Sequence, residues 1–260
     1  MILVLGATGR TGRLVVAGLR DRGVPLRAAS RSASVRFEWD DARTWGSVVE
    51  GVSVIYLVTP EDPVFPAGLV ASFLAVARAA GVRRVVLLSG LSAGYGSVPM
   101  ASRETAVREA GPAWTILRPG AFQQNFATLA GKEELRLPLG PEPYTAPIDV
   151  ADIAEVAVAV LTGAGHEGRI YPLAGPRALS YPELVAIVSR ETGRTVVYVD
   201  EPVERWTERT KAAGASEAAM NWSLETFDAI RRGEYARLHD GVQRILGRPP
   251  REFTVLRPPA

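Results

Sequence analysis

The chain has 260 residues, 47% of them hydrophobic and 22% charged, with a formal net charge of +2 and no cysteine. A chain of that length buries a sizeable core without disulfides or a structural metal, and the missing cysteines remove thiolate nucleophiles and thiolate-metal sites together. His166 and His239 lie too far apart in sequence to suggest a metal centre, and no basic run marks a nucleic-acid footprint. No apolar stretch approaches the roughly 20 residues that span a bilayer, and no leader-like segment stands out, so the expectation is a cytoplasmic protein with no membrane partner.

In chain order, "ILVL" (residues 2–5) reads as a buried strand, followed by Leu14, Val15, Val16 and Leu19 at helical spacing up to Gly23 as a C-terminal cap. "PLRAAS" from Pro25, "VRFEW" from Val35 and "SVIYLV" from Ser53 read as further strands, and "LVASFLAVARAAG" as a helix ending at Gly81. "RRVVLLS" (83–89) and "AWTILR" (113–118) are strands separated by the helical "ASRETAVREAG". Strands rich in Val, Ile and Leu without alternation imply burial on both faces, as in a parallel sheet. Strand-helix alternation of this kind predicts a doubly wound α/β fold of Rossmann type.

Beyond residue 150 the pattern is less regular. "DVADIAEVAVAVL" is a helix with Asp149 as N-cap, and Asp149 and Asp152 suit its dipole better than paired-carboxylate catalysis. "SYPELVAIVSRETG" carries a capping-box signature in Ser180 and Glu183; "TVVYVD" reads as a strand, and amphipathic helices follow from Pro202. The expected division is a dinucleotide-binding domain over 1–150 and a smaller, mostly helical lobe over 151–260 that caps the substrate and interleaves with the first.

The turn "GATGRTG" after the first strand carries Gly6, Gly9 and Gly12 and opens a helix, the place where a doubly wound sheet holds a pyrophosphate. Gly6 would make the sharp turn, Gly9 would let the backbone approach the phosphate, and Gly12 would let the helix pack on the sheet. Thr8 and Thr11 add hydroxyls and Arg10 a charge. A glycine turn that merely fits the packing is the alternative. At the end of the second strand, "AASRSAS" offers Arg31 between Ser30 and Ser32 with no acid nearby, which favours a 2′-phosphate and hence NADP(H) over NAD(H). An ordinary surface arginine is the alternative there.

These residues resemble the NmrA-like family of atypical short-chain dehydrogenase/reductases. The likeness continues in "FEWDDARTW", "GVSVIYLVTP", "GVRRVVLLSG", "WTILRPGAFQQNF", "PIDVADIA" and, near the end, "GRPPREFTV". It implies that Gly6, Thr8, Gly9, Arg10 and Thr11 contact pyrophosphate and ribose, and that Glu38 and Trp39 flank the adenine, with Glu38 in place of the usual Asp. Val58, Thr59 and Pro60 would line the adenosine side. Ser89, Pro119, Gly120, Ala121 and Phe122 would line the nicotinamide side.

Typical short-chain reductases protonate the product with a Tyr that a Lys four residues later activates. This chain has no such pair: its only lysines are Lys132 and Lys211, preceded at that spacing by Thr128 and Thr207. The resemblance puts Met100 at the tyrosine position, Glu104 at the lysine position and Gly90 at the assisting serine position. Arg103 and Arg108 on the same helix read as solvated. One reading is a reductase of quinones or conjugated aromatic ketones, whose proton comes from substrate, water or another side chain. Ser92 and Tyr95 are then catalytic candidates, Gln124 and Asn125 could orient the carbonyl, and Trp206 and Trp222 could line an aromatic pocket or simply be core. The second reading is a non-catalytic NADP-binding sensor acting through a protein partner; the "LRPPA" end offers it only a short tail.

Overall fold

A computed structural model describes residues 1–255; the "LRPPA" end lies outside the described residues. Seven strands form one sheet in the order β3-β2-β1-β4-β5-β6-β9, every adjacent pair parallel. They are β1 (Ile2–Leu5), β2 (Leu26–Ser30), β3 (Val35–Arg36), β4 (Val54–Val58), β5 (Arg84–Leu88), β6 (Ala113–Pro119) and β9 (Arg169–Leu173). Strand order reverses between β1 and β4, so the crevice at their carboxyl ends is where such a sheet binds ligands.

Period-2 alternation explains why the strands carry no polar face. Ile2, Val4, Tyr56 and Val86 point into one core with α1 (Gly12–Asp21), α6 (Val150–Thr162) and α10 (Gly241–Leu246). Leu3, Leu5, Ile55, Leu57, Val85 and Leu87 point into the other core. There they meet α2 (Trp45–Val49), α3 (Ala67–Ala79) and α4 (Val98–Glu109). Each fully buried Leu or Ile contributes about 2 kcal/mol, which makes both faces strongly apolar by selection for burial.

Two expected elements differ in extent. The third strand pairs only through Val35 and Arg36, because Phe37 turns inward to stack edge-on with Trp39 at 5.1 Å and Phe73 at 5.2 Å. The helix expected from Ala101 starts earlier, at Val98, with a proline in its first turn. Strand β9 was not legible in the sequence: Pro172 breaks its pattern. Pro172 is tolerated there because β9 is an edge strand.

The second half of the chain serves both layers. Asp149 caps α6, its carboxylate accepting from the Ala151 N–H at 2.9 Å. Asp152, fully buried on the same helix, accepts from Arg248 at 2.7 Å and from the backbone N–H of Arg251 at 2.7 Å, and also pairs with the Arg251 guanidinium. The acids of this helix start therefore anchor the C-terminal segment as well as the helix dipole.

A smaller lobe covers the carboxyl ends of β5 and β6. It contains α5 (Gln124–Ala127), α7 (Tyr181–Thr192), α8 (Val203–Ala212) and α9 (Glu217–Arg231). The Ser180–Glu183 capping box is formed reciprocally, at 2.7 and 3.2 Å. Two small sheets join these helices. β7 (Glu134–Leu137) pairs parallel with β11 (Val197–Asp200), and β8 (Tyr144–Thr145) antiparallel with β10 (Leu179–Ser180). The C-terminal region is thus mostly helical, as expected, with the short sheets as minor additions. No helix among the described residues is long and apolar enough to cross a membrane.

Candidate functional site

Gly6, directly after β1, has φ of +65°, a conformation that side chains disfavour. The turn closes with the Gly9 N–H donating to Gly6 O at 2.8 Å. A Cβ on Gly12 would lie 2.1 Å from that same carbonyl, so the helix packs here only with glycine. No side chain caps α1: the Thr11 hydroxyl instead accepts from the Tyr56 phenol at 3.2 Å. The positive end of the α1 dipole therefore meets the crevice without a side-chain oxygen over it, the arrangement that favours an anion.

Beside this turn, the Thr8 hydroxyl meets Ser30 at 3.1 Å and Ser32 at 3.3 Å, and Ser30 accepts from the backbone N–H groups of Ser32 and Ala33. Arg31 stands exposed in the middle of this hydroxyl cluster with no ion-pair partner among the described residues. Its surroundings fit a phosphate: hydroxyl donors, a free guanidinium and no carboxylate in the cluster.

One cavity of about 640 Å³ runs along the carboxyl ends of the central strands. Gly6, Gly9, Arg10 and Thr11 line it from the turn; Val58, Thr59 and Pro60 line it after β4, and Ser89 and Ser92 after β5. Pro119, Gly120, Ala121 and Phe122 line it after β6, with Asn125 on α5 and Trp222 on α9. Arg10 spans the gap, donating to Asn125 Oδ1 at 2.5 Å and Glu61 at 3.3 Å while lying 4.9 Å from the Phe122 ring centroid.

Other residues singled out in the sequence lie elsewhere. Glu38 pairs with Arg36 at 2.5 Å, and Trp39 packs among Phe37, Phe65 and Phe73. Gln124 donates to Asp149 at 3.0 Å and accepts from the Val150 N–H at 3.1 Å, holding the start of α6. Trp206 is buried edge-on against Phe227 at 5.1 Å, a core contact. Tyr95 does not line the main cavity; it borders a side cavity of about 130 Å³, its hydroxyl 3.5 Å from His239 Nε2.

At the positions that match the tyrosine and lysine of typical reductases, Met100 lines the cavity and Glu104 is locked below it. The Glu104 carboxylate, 1% exposed, accepts from Ser89 at 2.7 Å, from Arg118 at 2.6 and 2.8 Å and from Arg108 at 2.9 Å. Arg103 is not solvated but 2% exposed. Its guanidinium donates to the carbonyls of Pro60 and Asp62 and packs 5.2 Å from the Phe65 ring, tying α4 to the loop after β4. Arg108 is the half-exposed partner of Glu104 and lies over Trp114.

Apart from Trp222, the far wall of the cavity was not marked in the sequence. Phe126, Leu137, Tyr181, Phe227, Ile230 and Tyr235 come to it from five separate segments and form part of one apolar cluster. Burial pushes the Tyr235 phenol up to about 12, against a smaller opposing effect of the nearby Ser92. It is therefore a neutral hydroxyl near pH 7. "GEYARLHD" around it carries no motif, so no sequence signal marked it.

A family model for NAD(P)H-binding proteins matches residues 6–164. The chain is 34% identical to an NAD(P)H azoreductase of Xenophilus azovorans, over 97% of this chain and 95% of that protein. It is also 34% identical to the (4-alkanoyl-5-oxo-2,5-dihydrofuran-3-yl)methyl phosphate reductase of Streptomyces griseus subsp. griseus, with the same coverage of 97% and 95%. Its fold matches an NADPH-dependent quinone oxidoreductase of Escherichia coli complexed with NADPH, with a TM-score of 0.86, 22% identity and 97% of both chains covered. Seven-stranded Rossmann sheet, glycine turn and family model agree, and the chain belongs to the NAD(P)H-binding family.

Proposed function

We propose that this protein is an NADPH-dependent reductase that passes hydride to a quinone or another conjugated or aromatic acceptor, without a Tyr-Lys pair. The observation that carries the reading is the two-walled cavity. One wall is the glycine turn and the strand ends; the other is apolar side chains of the smaller lobe. A planar acceptor fits such a space, with a few placed polar groups to orient it. The azoreductase relative, named for reducing azo compounds, supports the same substrate class.

In this reading residues 1–150 hold the cofactor and 151–260 supply most of the wall over the acceptor. The Thr11 N–H and the α1 dipole would hold the diphosphate, with Gly9 letting it approach the backbone. Thr8, Ser30, Arg31 and Ser32 would hold the 2′-phosphate, and Val58, Thr59 and Pro60 the adenosine side. Ser89 and Pro119 to Phe122 would bound the nicotinamide, which supplies the hydride. Arg10 would leave Asn125 and Glu61 for a phosphate oxygen. The compartment consistent with this sequence is the cytoplasm.

The test is NADPH oxidation followed by absorbance with a panel of quinones, azo dyes and hydroxylated aromatic ketones, with NADH in parallel. Turnover that prefers NADPH is the expected result. Tight NADPH binding with no turnover across the panel would overturn the reductase reading in favour of a sensor.

A further inference from the structure

We infer that Tyr235, with Ser92 beside it, gives the proton to the reduced acceptor in place of the missing Tyr-Lys pair. The inference rests on the reductase reading above. Tyr235 and Ser92 face the same cavity from opposite sides of the chain, Ser92 from the turn after β5 and Tyr235 from the short turn that follows α9. Both side chains line this cavity, with Ser92 near enough to the phenol to offset part of the effect of its burial. Ser92 stands two residues past Gly90, and Gly90, Pro119 and Gly120 line the cavity with it. Tyr235 is 9% exposed. Its carbonyl accepts from the Ala146 N–H at 2.8 Å and its ring lies 6.1 Å from that of Tyr95, so its place is set by packing.

Most other polar groups of the cavity are committed elsewhere, and the buried Trp222 Nε1–H, without a partner among the described residues, belongs to an indole that does not release its proton at working pH. Ser89 donates to Glu104, Thr11 accepts from Tyr56, and Arg10 is held by Asn125 and Glu61. An arginine does not release its proton at working pH, which removes Arg103. Tyr181 also lines the cavity, but among aromatic neighbours, 6.0 Å from Phe126 and 5.8 Å from Tyr198.

Tyr235 also has a route for recovering its proton. Ser92 and Thr226 belong at once to the main cavity and to the side cavity of about 130 Å³. That side cavity is bordered by Glu225, Asp228 and Arg232, and by Ser97, whose buried hydroxyl has no partner. The space is polar and takes several waters at about 30 Å³ each.

The hydride that NADPH supplies brings two electrons and one hydrogen, leaving NADP⁺ and an acceptor anion. The Tyr235 O–H bond breaks as a new O–H (or N–H, for an azo compound) forms on that anion. The phenolate then takes a proton from Ser92, which regains one from water in the side cavity.

The test compares Tyr235→Phe, Ser92→Ala and, as control, Tyr144→Phe, an exposed phenol outside the cavity. Acceptor affinity is read in the cofactor-free protein, from quenching of tryptophan fluorescence by 1,4-naphthoquinone, with Trp222 in the cavity wall as the reporter. We expect dissociation constants within about twofold of wild type. For kcat with naphthoquinone we expect a loss of about 100-fold in Tyr235→Phe, about tenfold in Ser92→Ala and none in Tyr144→Phe. A chlorinated quinone, whose hydroquinone is acidic enough to leave as its anion, should lose less than about threefold in Tyr235→Phe. Equal losses for both quinones, or no loss, would overturn the inference. A readout without turnover is the infrared carbonyl stretch of naphthoquinone bound to the NADP⁺-loaded protein. It should lie lower in wild type than in Tyr235→Phe, and identical stretches would overturn the inference whatever the kinetics. No turnover by wild type, with the carbonyl shift present, would sink the reductase reading and the proton step with it, leaving only the hydrogen bond.

Discussion

The two walls of the cavity are built on opposite principles. The wall along the strand ends is backbone and small polar groups: Gly6, Gly9, Thr11, Thr59 and Ser89 sit where parallel strands stop and helices begin. The facing wall is large apolar side chains, Phe126, Leu137, Tyr181, Phe227 and Ile230, drawn from α5, β7, α7 and α9. In the proposed reading the first wall would recognise charge, and it is positioned by hydrogen bonds and a helix dipole, which tolerate little movement. The second would recognise shape, and it is positioned by packing, which would admit related acceptors. A generic cofactor and a variable acceptor fit that division.

Breaking the first wall should have the largest effect. In Gly12→Val the new side chain collides with the Gly6 carbonyl, where even a Cβ would sit at 2.1 Å. We expect a loss of about 3 kcal/mol in stability and of NADPH binding, measured by thermal unfolding and by titration of the cofactor. A variant that keeps both would mean that the turn has more slack than its geometry allows.

The second wall is reached through its anchor. Asp152→Asn removes the buried charge that holds Arg248 and Arg251, and Phe253 packs 5.6 Å from Phe126. We expect about 2 kcal/mol of destabilisation, less than for a fully buried pair because both arginines are about one-third exposed. Acceptor KM should rise several-fold with NADPH affinity unchanged. Equal losses on both ligands would show that the walls are not independent.

A smaller and more selective change is Arg31→Asp. It should weaken NADPH binding by about tenfold to 100-fold, the worth of one charge-assisted contact, and leave NADH binding nearly unchanged. Equal loss for both cofactors would remove Arg31 as the phosphate reader. Smallest of all is Tyr95→Phe. Because Tyr95 borders the side cavity and not the main one, turnover should stay within about twofold; a larger fall would return it to the chemistry.

The sequence made the first wall legible because its determinants are local. A glycine turn between an apolar strand and an amphipathic helix occupies seven consecutive residues, Gly6 to Gly12, and Ser30 to Ser32 follow directly on the second strand. The pattern of buried strands was equally readable, since each residue's environment follows from period and type. Arg103 was misread for the opposite reason. Its helix carries little apolar periodicity, and only the fold shows that loop carbonyls, far away in sequence, receive its guanidinium. Edge strand β9, masked by Pro172, and the two small sheets needed partners that lie far along the chain.

By itself, then, the sequence determined the parallel sheet, the order of its elements, the glycine turn, the hydroxyls and arginine beside it, and the absence of a Tyr-Lys pair. Tertiary structure alone decided which tyrosines face the cavity, that Glu104 is sealed among Arg108, Arg118 and Ser89, and which side chains make the apolar wall. The physical reason is the range of the interactions. Turns, caps and strand periodicity are set by neighbours a few residues apart, whereas a cavity wall is set by packing among segments that meet only once the chain has folded.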